Sequence, residues 1–170
     1  MKYMERGGFQ NQPLMKLTLG FMLLFLLGLW ISNFLLYFSK MGLTPESVTS
    51  YYLGSEAQFS APRTYQSMLE VTHMHLPVMA IVILMLTHLI IFAPFKNPTK
   101  VLIIATSFLS AFLGEAAGWL TRFVNPSFSY LKIGCFFLFQ VMLILLIFSL
   151  GRFLFGSHTK KRPLRPASRH

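Results

Sequence analysis

Four apolar runs dominate the chain, roughly Leu17–Ser39, Val71–Phe92, Val101–Leu120 and Ile133–Leu150, and polar segments separate them. Of Asp, Glu, Lys and Arg they contain only Glu115. A helix of about 20 residues crosses the ~30 Å hydrocarbon layer, so each run is long enough to span a membrane. In lipid every backbone polar group must be paired internally, which leaves helices or a closed barrel. Barrel strands would alternate over ~10-residue segments, whereas these runs are continuous. The pattern predicts an all-α, polytopic membrane protein, an up-down four-helix transmembrane bundle with short connections.

The polar segments set the boundaries. Residues 1–16 form a polar arm, 17–155 the transmembrane domain with an outer loop at 41–70, and 156–170 a basic tail. Within the loop, Thr44-Pro45-Glu46 reads as a helix start: a capping hydroxyl, a proline at the first helical position, then an acid at the positive dipole end. Gly54 can end that short helix, whose closing Tyr51 and Tyr52 suit the head-group layer. A second start is expected at Ser60-Ala61-Pro62-Arg63, from which one helix can run to Phe92. Pro94 and Pro98 make a tight turn between spans two and three, and Asn125-Pro126 breaks spans three and four.

Composition agrees with a membrane solvent: 54% of the 170 residues are hydrophobic, 18 are Phe, and 12% are charged. The net charge of +10 raises the possibility of nucleic acid, but its placement argues for topology. Lys2, Arg6 and Lys16, the turn residues Lys96 and Lys100, and the tail from Arg152 to Arg169 all fall on one side. Lys40, Arg63, Arg122 and Lys132 on the other side are set against Glu46, Glu56 and Glu70. The positive-inside rule then places both termini in the cytoplasm. The tail Lys160–Arg169 reads as a polybasic end touching anionic lipid, with no interleaved aromatics for stacking on nucleic acid. Cys135 is the single cysteine, so no intrachain disulfide forms. The first span, which lacks a small-residue cleavage site, reads as a retained anchor.

The candidate chemistry lies in spans two and three. Span two holds His73, His75 and His88. At 100° per residue His73 and His88 lie about 60° apart on one face, about 22 Å apart along the axis, and His75 points about 160° away from His73. Pro77 removes the helical donor to the His73 carbonyl. Ionisable groups in a span usually face protein or a wet cavity. Each histidine can therefore be a ligand or an ordinary interhelical hydrogen-bonding residue. Ser107, Ala111, Gly114 and Gly118 form a small-residue stripe containing a GxxxG, suited to close packing or to a flat cofactor. Glu115 needs a partner, and Arg122, about 20° away on the same face, a histidine, or a proton could each serve.

Two histidines about four turns apart on one helix resemble the arrangement of b-type membrane cytochromes. That resemblance implies haem b in electron transfer, with His73 or His75 and His88 as axial ligands. It also implies the Gly114/Gly118 stripe against a porphyrin face, and Glu115 and Arg122 near a propionate. A second ligand helix is missing, because spans one, three and four contain no histidine and His158 lies beyond span four. The strings Tyr51–Glu56 and Leu69–Leu76 also look like small bacterial inner-membrane proteins, which implies that location.

Three functions remain open from the sequence: a haem- or metal-binding electron carrier using His73, His75 and His88, an accessory or assembly subunit, and a small transporter. The accessory reading expects other membrane subunits or a second copy as partners. A transporter would use Glu115 with His73 and His75, but the chain shows neither internal repeats nor broken midplane helices. Phosphate loops, HExxH and nucleophile elbows are missing, which argues against a stand-alone enzyme of those classes.

Overall fold

Lipid-length apolar runs do become helices in the computed structural model, which describes residues 12–156. The helices are α1 (Pro13–Lys40), α2 (Pro45–Leu53), α3 (Tyr65–Ile90), α4 (Asn97–Phe123) and α5 (Phe128–Phe155). All but α2 are long and apolar enough to cross a membrane. Each long helix outruns its apolar core by a few residues at one or both ends. Helical hydrogen bonding there continues past the apolar residues into polar ones. The N-terminal arm through Asn11 and the tail from Ser157, with the basic cluster and His158, lie outside the described residues.

Local chemistry fixes the ends. Pro13, Pro45 and Pro98 sit in the first turns of α1, α2 and α4, where their missing N–H costs no bond. Thr44 caps α2 by accepting the Ser47 N–H at 3.3 Å, and Gly54 closes it at φ 83°. Thr64 caps α3 by accepting from Ser67 N–H at 3.1 Å. The third helix thus starts later than the expected Ser60–Arg63. Ser55 and Ser60 instead pair across a small turn, and Arg63 N–H donates to the Tyr52 carbonyl at 3.0 Å. Those bonds hold residues 60–63 extended. Helix α3 continues through Pro77 without a break.

Packing is unequal around the bundle. Helix α5 is the hub, lying against α1, α2, α3 and α4, and its tightest partner is α4. The α4 face that meets it is small and buried: Ser107, Ser110, Ala111, Gly114, Ala117, Gly118 and Thr121. Ser107 and Thr121 return their hydroxyls to carbonyls four residues back, so the polar atoms are satisfied inside lipid. Helix α1 leans mainly on α5, where Trp30 Nε1 donates to the Gln140 carbonyl at 3.0 Å and Tyr37 stacks on Phe136 at 3.8 Å.

Two cores result. One, near the end that carries the described termini, joins Leu19, Leu23, Leu86, Ile90, Leu146 and Leu150. The other lies under α2 and joins Tyr37, Met41, Val48, Tyr52 and Met68. The outer surface keeps large apolar side chains such as Phe25, Phe112 and Phe148 exposed, as a lipid-facing coat requires.

Candidate functional site

Beneath α2, the spans bring together a polar centre around Glu115. Its carboxylate is mostly buried, with the side chain 14% exposed. Thr72 Oγ1 of α3 donates to Oε1 at 3.1 Å, and Trp119 Nε1 donates to the same threonine oxygen at 2.8 Å. His75 Nδ1 stands 3.5 Å from Oε2. Thr72 and His75 reach one acid because residues three apart share a helix face. From α5, Lys132 Nζ donates to the Gly114 carbonyl at 2.8 Å, one residue before Glu115. A mostly buried carboxylate thus meets polar groups of α3, with a cation from α5 bonded beside it, which is the condition for keeping it in lipid.

Tyr52 closes this centre from the α2 side. Its ring is buried against Gly118: a β-carbon built there would stand 2.6 Å from the Tyr52 hydroxyl. Burial, reinforced by the Glu115 carboxylate, pushes the Tyr52 phenol well above its ordinary range, so it is a neutral, protonated lid. Burial also raises Tyr51, whose ring lies 4.3 Å beneath the Arg63 guanidinium. Tyr52 is therefore a core residue rather than a head-group anchor. A cavity of about 40 Å³ remains between Tyr52, Thr72, Glu115 and Trp119.

Arg122 does not pair with Glu115. Its Nε donates to the Arg63 carbonyl at 2.8 Å, fastening the end of α4 to the segment before α3. Seven residues of helix put the two side chains on one face but about 10 Å apart along it, and the loop carbonyl lies nearer.

The histidines part company. His75 is half exposed and joins Glu115, whereas His73 and His88 lie exposed on the outer face of α3. His88 meets only the edge of Phe92, at 5.8 Å, among its ring contacts, and His73 makes no hydrogen bond or ion pair among the described residues. The same outward stripe carries Glu70, whose carboxylate accepts from Gln66 at 3.0 Å. Among the described residues no three His, Cys, Asp or Glu side chains converge as a metal would require.

The small-residue stripe does not fit a porphyrin face. Tyr52 fills the space over Gly118, and the Cys135 β-carbon lies 3.4 Å from where a β-carbon on Gly114 would be. The stripe packs α4 against α5 and α2. Of the expected site residues, His75, Glu115, Gly114 and Gly118 come together, and His73, His88 and Arg122 do not. Lys132, Thr72 and Tyr52 escape a sequence reading. Thr72 alone had a signal, its i, i+3 spacing to His75.

Searches of curated proteins and of solved structures found no match to the chain. Residues 42–162, from just before α2 to beyond α5, match the model of a family described as a transmembrane helical domain. The chain belongs to that transmembrane helical family.

Proposed function

We propose that this protein is a non-catalytic accessory or assembly subunit of a larger membrane complex, and that the outer face of α3 lies against a partner helix. The observation that carries this reading is the outward placement of His73 and His88 on a membrane span. Imidazoles in a span are stabilised by protein or water and not by acyl chains, so a second protein surface is the natural cover. The partner is another membrane subunit or a second copy of this chain. His75 links that face to the interior, since it touches both the α3 surface and the Glu115 centre. The distribution of Lys and Arg supports both termini facing the cytoplasm, and a bacterial inner membrane fits that arrangement.

The test is native mass measurement of the tagged full chain released from its own membranes in mild detergent. The reading expects a species heavier than one chain, reduced to the single chain in a His73→Leu/His88→Leu variant. A lone monomer in the unaltered protein contradicts it. The haem version of the function has less support, because its stripe is filled and no described helix other than α3 carries a histidine. A histidine-dependent Soret band in the purified protein would overturn the accessory reading in its favour.

A further inference from the structure

A second, larger cavity adjoins the Glu115 centre, sharing Tyr51, Arg63 and Ser67 with it, and opens at the α2 end of the bundle. It measures about 630 Å³ and lies between the end of α1, the outer side of α2 and the start of α3. Lys40 and Arg63 line it, and its lining contains no Asp or Glu. Hydroxyls supply most of its remaining polarity. Ser47, Ser60 and Thr64 each accept a backbone N–H, from Gly42 at 2.7 Å, Ser55 at 3.0 Å and Ser67 at 3.1 Å. An oxygen used in this way as an acceptor still has its own O–H to donate. Ser50 adds a hydroxyl with no partner among the described residues. The cleft therefore presents two cations and several O–H donors, with no anionic side chain. Its complement is an anion rich in acceptor oxygens.

The membrane setting narrows that chemistry. The cleft runs from the last turn of α1, Phe38 to Lys40, to Ser67 in the first turn of α3, at the polar ends of both helices and so at head-group depth. Phe38, half exposed and two residues deeper on α1, gives it an apolar wall on the hydrocarbon side. The volume is that of a site for a drug-sized molecule rather than a bare ion. We infer that this cleft seats the phosphodiester head group of an anionic phospholipid, with Lys40 and Arg63 facing the phosphate and an acyl chain passing Phe38.

The test uses the full-length chain in phosphatidylcholine nanodiscs doped with phosphatidylglycerol that carries a photoactivatable diazirine. Labelled peptides are mapped by mass spectrometry. The basic tail also attracts anionic lipid, so labelling at 160–169 serves as the internal control. The inference expects labelling at 38–42 and 60–67, reduced about fivefold in Lys40→Gln and at least as much in Ser50→Asp, with tail labelling unchanged. Lys40 is exposed and Ser50 half-buried, so neither change disturbs the core. Labelling confined to the tail, or cleft labelling indifferent to both variants, overturns the inference. Loss of cleft labelling on adding millimolar inorganic phosphate, with the tail unaffected, shows a free-phosphate site and overturns the lipid assignment.

Discussion

Gly118 on α4 and Tyr52 on α2 occupy one another's space: the phenol sits where any larger side chain at 118 would have to go, with a β-carbon only 2.6 Å from its hydroxyl. This contact seats the extramembrane helix on the bundle and roofs the Glu115 centre. Gly118→Ala is expected to cost about 1–3 kcal/mol through overpacking. Tyr52→Phe removes the nearest atom and should restore part of that loss in the double variant. A double-mutant cycle by thermal unfolding in detergent measures the coupling. Strictly additive effects would contradict the contact.

Glu115 and Lys132 are expected to be worth more together than apart. Each charge lies in a largely apolar setting near the other, so Glu115→Leu or Lys132→Met alone should cost about 1–3 kcal/mol. The two changes combined should be milder than either single one. Thermal unfolding of the three variants checks this, and a double variant worse than both singles would refute the coupling.

Arg122 holds the segment before α3 through the Arg63 carbonyl. Arg122→Gln should loosen residues 54–64 while leaving the spans intact. Hydrogen exchange resolved by peptide should rise there and stay unchanged in α5. Lys at this position is not equivalent, because the bond comes from Nε of a planar guanidinium.

The visible spectrum discriminates the accessory reading from the redox one. The protein purified from haem-replete cells is expected to show no reduced-minus-oxidised Soret difference. If one appears and vanishes in His73→Ala or His88→Ala, the histidines are ligands.

How much of this was legible in the chain differs by element. The spans were, because lipid demands an unbroken apolar run, and α2 was, because Thr44-Pro45 and Gly54 are local signals. The start of α3 was not. Ser60-Ala61-Pro62 looks like a cap, but the bonds that hold it extended come from Ser55 and Tyr52, which local patterning cannot see. Glu115 stood out as the lone acid in a span, whereas Lys132, at the edge of an apolar run, looked like an ordinary surface charge. Helical period puts His73 and His75 about 160° apart around α3. It could not say which of them faces the neighbouring helices, since that depends on where α4 packs.

Whether protein or lipid covers the histidine face of α3 is the question on which the functional account turns. A photocrosslinking residue placed at 73 or 88 in the full chain, activated in native membranes, answers it most directly, with position 24 on exposed α1 as the comparison. The account predicts discrete protein adducts of defined mass from 73 and 88 and none from 24. Adducts to lipid alone at all three positions would contradict it.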